Sequence, residues 1–384
     1  MKPHRLLLLL AVLAAAVPAR ADRPATAPAP RPSILLIQCH DLARGDLSCY
    51  GQTNFQTPNL DRLAQEGIRF THYTGGADSA ATTAELLAGT ITAPAAEEAN
   101  LAQRLRASGY HTGLIGEWSQ GGPPWTHGFD EFAGFLEDAE GTNYFPEYVW
   151  RHAPKSIYNE TTKTFEAFTG KESLYPNLGG KQGQYLPEVL TKAMVNFVRV
   201  NEPDAANQFR PFFLLVNLPA PRSATAGADH FPVPSDAPFT GEAWPQAAKD
   251  RAALITRLDS NIGRLFEQLN KMKQSNNVAI FFTASSAPEP FANTNLNFLL
   301  PAGDFRRAHP APALPLLARW PQQIPGGRVS NAKCSVLDLT PTALALGQIK
   351  PAEGMTGISL LPNLLGATGQ IAPDVTDPRK PQGE

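Results

Sequence analysis

The sequence predicts an α/β fold, with a mostly parallel central sheet flanked by helices on both faces. Three observations carry this. Short apolar runs of strand length recur along the chain: Ile34–Ile37, Phe212–Leu218, Val278–Thr283 and Leu314–Ala318. Runs with no polar alternation belong to strands covered on both faces. Helical patterns lie between them, and the first run ends in polar residues. That is how parallel strands deliver side chains to the carboxyl edge of a sheet, where α/β proteins place their sites.

The elements follow in order. Ile34-Leu35-Leu36-Ile37 is too short for a typical helix and leads into Gln38, Cys39, His40 and Asp41. Thr57 then offers an N-cap hydroxyl, Pro58 stands at the first helical position, and Leu60 and Leu63 follow before the stop at Gly67, together a helix signature. Asn100 opens a helix through Leu101 and Leu105 that stops at Gly109, and His111–Ile115 is a strand leading into Gly116-Glu117-Trp118-Ser119. Pro187–Val200 reads as a helix ahead of the buried strand Phe212–Leu218. Leu254, Leu258, Ile262, Leu265 and Leu269 share one face of a long helix. Residues 140–183, rich in Gly, Tyr and Lys without a clean period, read as an insertion over the site. No internal repeat is present.

With 384 residues the chain can form one large domain plus a smaller appendage. A net charge of −2 and 18% charged residues give no bulk reason to expect nucleic-acid binding. Lys2 and Arg5 precede an apolar stretch from Leu6 to Val17 and then Ala19-Arg20-Ala21. That pattern predicts a signal peptide over residues 1–21, cleaved before Asp22, and export to the exterior or a periplasm. About twelve apolar residues are short of the roughly twenty that span a bilayer, and no later segment is long enough either. Residues 22–32 read as an Ala/Pro-rich linker, 33–366 as the domain, and 367–384 as a polar tail expected to be disordered. Cys39, Cys49 and Cys334 make no disulfide framework and no C-x-x-C pair, which leaves a Cys39–Cys49 bridge open. Asn159-Glu160-Thr161 is a glycosylation sequon in a host that glycosylates.

The wording of the segments points further. PSILLIQCHDLARGDLSCYGQTNFQTPNLDRLAQEGIRF, GYHTGLIGEW, HGFDEFAGF, RPFFLLVNLPAPR, RLDSNIGRL, LPLLARWP and LDLTPT occur in that order. Together they resemble the sulfatases, of the alkaline-phosphatase-like superfamily, over roughly Ser33 to Gly366. The resemblance implies that fold, with its smaller C-terminal antiparallel subdomain truncated here. It also implies sulfuric ester hydrolysis by a formylglycine made from a Cys or Ser in a C/S-x-P-x-R signature, beside a calcium ion.

The chemistry departs from that pattern position by position. The signature reads Ser79-Ala80-Ala81-Thr82-Thr83, without its proline and arginine, so Ser79 is expected to stay serine and to serve as a helix N-cap. The leading Asp-Asp pair reads His40-Asp41, and the second ligand pair reads Ser285-Ser286. One aspartate, two hydroxyls and an imidazole are a poor calcium set. No cofactor is therefore expected, and His40 and Asp41 remain as residual metal candidates. Successive residues at a strand end are expected to point to opposite faces. The lysine of the GKWH motif is Glu117 and its histidine Ser119; a further histidine is Arg222, and a second lysine is Asp304.

These substitutions predict an exported sulfatase-family pseudoenzyme, with Ser79 and Arg222 at former catalytic positions. It would bind a sulfated glycan or a protein. Arg222, Arg306 and Arg307 are the candidate anion contacts, and their plainer reading is a solvated surface. The alternative is a divergent metal-dependent sulfate or phosphate ester hydrolase. Its nucleophile would be an unmodified Ser79 or Thr82, with His40, Asp41 and His309 as ligands or base. An intact sulfatase would require formylglycine at Ser79.

Overall fold

The computed structural model describes residues 31–91, 99–159, 161, 163–225, 228–290, 294–300 and 313–366. The predicted signal peptide, the linker up to residue 30, the 367–384 tail, Asp304, Arg306, Arg307 and His309 lie outside them. All the described residues belong to one compact unit beginning at Arg31.

Among the described residues, ten strands form a single sheet. In chain order they are β1 (Ser33–Cys39), β2 (Ile68–Thr74), β3 (His111–Glu117), β4 (Glu131–Phe135), β5 (Tyr148–Asn159), β6 (Thr164–Ser173), β7 (Phe212–Leu218), β8 (Val278–Ala284), β9 (Ala313–Arg319) and β10 (Arg328–Ser335). The spatial order is β10-β2-β9-β8-β1-β7-β3-β4-β5-β6. The inner block β8-β1-β7-β3-β4 is parallel throughout. Strand β9 runs antiparallel between β8 and β2. Every residue of β1, β7 and β8 is buried, as unbroken apolar runs require.

Among the described residues, eight α-helices accompany the sheet: α1 (Pro58–Gln65), α2 (Ser79–Ala88), α3 (Leu101–Ala107), α4 (Asp138–Thr142), α5 (Leu186–Val200), α6 (Gln246–Lys271), α7 (Leu339–Leu346) and α8 (Leu361–Leu364). Helices α1 and α5 pack against α6, while α2, α3 and α7 pack against one another, giving two helical layers around the sheet. No helix among the described residues is long and apolar enough to cross a membrane.

Several expectations are corrected. Within the 140–183 stretch, the hairpin β5–β6 extends the sheet beyond β4 in antiparallel pairing, while Gly141 and Tyr144 at its start reach Arg222 of the site. Its strands escaped notice because their residues mix aromatic, charged and glycine positions with no unbroken apolar run. Thr57 stands at the N-cap of α1 but makes no capping hydrogen bond; it is bonded to Ser48 instead. Asn100 does cap α3, in a reciprocal box with Gln103. Cys39, Cys49 and Cys334 are all free thiols.

Candidate functional site

The carboxyl ends of β1, β3, β7 and β8 and the N-terminus of α2 converge on one point. Strand pairing sets the levels. Gln38 lies opposite Asn217 on one side and Thr283 on the other. The ladder continues one bond further on each side, from His40 N to Leu218 O (2.9 Å) and from Ser285 N to Cys39 O (2.9 Å). That extension puts His40 and Ser285 at the same height, one strand apart.

Asp41 then takes a left-handed conformation, φ +54°. For a residue other than glycine this is uncommon, and aspartate is among the few that tolerate it. The turn has a consequence that strand alternation does not foresee. Asp41 folds back beside His40 instead of pointing away, and both meet Ser286. The Ser286 hydroxyl donates to Asp41 Oδ1 (2.8 Å), accepts from Asp41 N (3.0 Å) and lies 3.3 Å from His40 Nδ1. The expected opposite-face arrangement of His40 and Asp41 is thus overturned by one backbone dihedral.

Glu117 closes the other side of His40. It is the last residue of β3 and is preceded by Gly116, at φ +107°, where a Cβ would stand 1.9 Å from the Asn217 carbonyl oxygen. Glycine is the residue that fits there. Glu117 Oε2 lies 3.4 Å from His40 Nε2 and 3.7 Å from an Arg222 terminal nitrogen. Asn217 Nδ2 and buried Trp118 hold the strand end in place, through the Glu117 carbonyl and through Gly122 respectively. Arg222 is not a solvated surface cation. Its side chain is 14% exposed, Tyr144 Oη donates to its carbonyl, and α4 packs beside its guanidinium at Gly141.

Burial works against a charged His40, but polar contact with Asp41 and Glu117 and their two negative charges outweigh it, so its pKa lies above the ordinary imidazole value. The proton positions agree. The Ser286 hydrogen points at Asp41, so a proton on His40 Nδ1 meets a lone pair, and Nε2 faces a carboxylate. Ser286, His40 and Glu117 resemble a serine–histidine–acid relay in outline. The Ser286 hydrogen is turned to Asp41 rather than to His40, so His40 is not placed to take it. The array does not activate Ser286.

Ser79 is the first residue of α2, not its cap. Asp78 is the cap, its carboxylate accepting from Ala81 N at 2.8 Å. Freed of that duty, the Ser79 hydroxyl donates to Ser285 Oγ at 2.7 Å, and Ser285 in turn reaches the Cys39 carbonyl at 3.4 Å. Among the described residues no imidazole or carboxylate hydrogen-bonds Ser79. Thr82 Oγ1 donates to the Asp78 carbonyl and accepts from Gly76 N, which occupies it structurally.

The calcium implied by the sulfatase resemblance finds a mismatched donor set. Calcium takes about six to eight oxygens with several carboxylates among them. The four aligned positions hold Asp41, two serine hydroxyls and an imidazole in contact with Glu117. Among the described residues no group of three or more His, Cys, Asp or Glu side chains is arranged to hold a metal ion.

The structure brings Ser79, His40, Asp41, Glu117, Arg222, Ser285 and Ser286, the positions the resemblance pointed to, into one neighbourhood. Residue reasoning missed Asp46 and Arg251, buried at 0% and 1%, which underpin the site loops. A signal existed: Arg251 sits three and seven residues before Leu254 and Leu258 on the apolar stripe of α6.

Comparison with known proteins agrees with this geometry. Residues 32–349 match the family model described as Sulfatase. The chain is 29% identical to the N-acetylgalactosamine-6-sulfatase of Canis lupus familiaris, over 90% of this chain and 68% of that protein. It is 31% identical to arylsulfatase A of Bos taurus, over 87% of this chain and 68% of that protein. The solved structure of Ps i-CgsB in complex with k-i-k-neocarrahexaose superposes with a TM-score of 0.68 at 26% identity, covering 86% of this chain and 76% of that one. The phosphonate monoester hydrolase of Agrobacterium radiobacter shares the fold, with a TM-score of 0.58 at 19% identity over 88% of this chain and 77% of that one. The sheet, the site at its carboxyl edge and the match over most of the length place this chain in the sulfatase family.

Proposed function

We propose that this sulfatase-family chain is exported, does not hydrolyse sulfate esters, and works as a binding protein for a glycan or a protein through the cleft its relatives use for chemistry. One observation carries the reading. The positions that would hold the ester and its cation instead hold His40, Asp41, Glu117 and Arg222, and these four spend their charges on one another. A sulfate ester entering this site meets carboxylates at Asp41 and Glu117. Among the described residues, the cations there, His40 and Arg222, are already paired with those carboxylates, and like charges brought together cost several kcal/mol. Ser79 is hydrogen-bonded to another serine, and among the described residues no imidazole or carboxylate hydrogen-bonds it to activate it.

The test is direct. Purified protein is incubated with an aryl sulfate and sulfate release is followed, while peptide mass spectrometry reads the mass at Ser79. The expected outcome is an unmodified serine and release no faster than in buffer. Turnover that disappears in Ser79→Ala would overturn the reading and restore an ester hydrolase. Added calcium is expected to leave the melting temperature unchanged, because a ligand that binds the native state raises it.

A further inference from the structure

The turn that joins α5 to β7 lies at the amino edge of the sheet, at the far end of the strands from the cleft. It holds two successive residues other than glycine in the left-handed region, Gln208 at φ +55° and Phe209 at φ +53°. A bulky side chain there is an outlier, and such strain persists only where neighbours fix it. Here they do. Asn207 Nδ2 donates to the Val200 and Glu202 carbonyls (2.9 Å each), Asp204 Oδ1 accepts from Asn207 N (3.0 Å), and Phe209 N donates to the Asp204 carbonyl (2.7 Å). The Phe209 ring gains no place in the core from this. It is 64% exposed, with Val200 at 47% and Ala205 and Ala206 exposed on the same turn. A fixed backbone thus presents an apolar knob to water.

Cations surround the knob. Arg199 and Lys271 stand in the last turns of α5 and α6, Lys273 follows, and all three are exposed. The end of α6 is tied to the turn by Lys273 N to Glu202 Oε1 (2.7 Å) and Gln274 Nε2 to the Pro203 carbonyl (2.8 Å), so these charges and the ring share one surface. Arg210 adds a fourth, its guanidinium on the Gly109 and Tyr110 carbonyls and 3.6 Å from Asp130. Glu202 and Asp204 oppose them, both half-buried and bonded to backbone N–H groups, and the cations remain in excess. We propose that this surface rests on an anionic lipid bilayer, with Phe209 inserted at the acyl boundary and the cations at the headgroups. A bilayer accepts a protruding ring without a socket shaped for it, and apolar side chains flanked by basic ones are how interfacial segments bind. The described chain also begins at this edge, where Arg31 donates to the Ser108 carbonyl (2.6 Å) beside the carbonyls that hold Arg210. Docked this way, the cleft at the carboxyl edge faces away from the membrane. The proposal is independent of what the cleft binds.

Flotation of the full chain with vesicles tests this. One set is phosphatidylcholine alone, the other an equimolar mixture with phosphatidylglycerol. Binding is expected on the mixed vesicles, about tenfold or more weaker without the anionic lipid, and falling as salt is added. Phe209→Gly relieves the left-handed strain and deletes the ring, so it is expected to raise the melting temperature while weakening vesicle binding about tenfold. Phe209→Trp is expected to keep the binding. Arg199→Gln with Lys273→Gln is expected to remove most of the difference between the two vesicle sets. Flotation with neither set, equal binding to both by the native chain, or native binding by Phe209→Gly would each overturn the proposal. The last would assign lipid affinity to the apolar stretch from Leu6 to Val17 instead. Capture of the chain by heparin without vesicle binding would make the cations a polyanion site and overturn it as well.

Discussion

His40 is where the altered chemistry of this site is most exposed to measurement. Its pKa is raised because two neighbouring carboxylates outweigh the effect of burial. A raised folded-state value means that the stabilisation is fully present below the unfolded pKa of about 6.5 and is lost as the pH rises through the folded value. The difference in melting temperature between the native chain and His40→Gln is therefore expected to be largest near about pH 6 and to shrink as the pH climbs above that. A gap that is flat or widening with pH would mean that His40 is not held as imidazolium. At Ser79 the expectation is modest. Ser79→Ala removes one hydrogen bond to Ser285 and should cost about 1 kcal/mol in denaturant unfolding, with no change in aryl sulfate release. At this scale the sequence revealed residue identity but not orientation. The family wording located His40, Asp41 and Glu117, whereas the left-handed turn at Asp41 has no residue-type signal beyond aspartate's tolerance of it.

Among the elements, α1 shows how a helix start can be supplied from elsewhere. Thr57 and Pro58 announce the helix correctly, yet the orphan N–H groups are met by Asp259 of α6. Its carboxylate accepts from Asn59 N (3.2 Å), Asn59 Nδ2 (2.8 Å) and Leu60 N (2.9 Å). Gly263, one turn on, leaves the room that Asn59 needs, since a Cβ there would come within 2.6 Å of it. Asp259→Ala should therefore cost about 2–3 kcal/mol, because it strands buried donors and removes a cap together. Asp259→Asn should fall between that variant and the native chain, as one oxygen still accepts. Urea unfolding of the three proteins measures this, and equal midpoints would refute the cap. The partnership was hard to read because the acceptor lies two hundred residues away in sequence. The strands divide the same way. Those buried on both faces announce themselves as apolar runs, while β2, β5 and β6 carry mixed faces and pair with distant or antiparallel partners, so neither their existence nor their order followed from local pattern.

For the whole molecule, the question is what keeps loops from four strands in register at one edge. The answer runs through Arg251, on α6 beneath the site. One terminal nitrogen donates to Asp46 Oδ2 (2.6 Å) and to the Asp41 carbonyl (3.3 Å), and the other to the Pro221 carbonyl (3.2 Å). Asp46 also accepts from Ala43 N at 2.8 Å, so one ion pair fastens the loop after β1, the loop after β7 and the long helix together. Both side chains are essentially sealed from water. Desolvating such a pair is expensive, and its net contribution against an apolar substitute is small. Removing one partner, however, leaves a buried charge uncompensated at about 3–5 kcal/mol. Arg251→Met is expected to lose about that much, and Arg251→Met with Asp46→Leu to recover a substantial part of it, because no charge is left stranded. A double variant no more stable than Arg251→Met would show that the residues act through separate contacts.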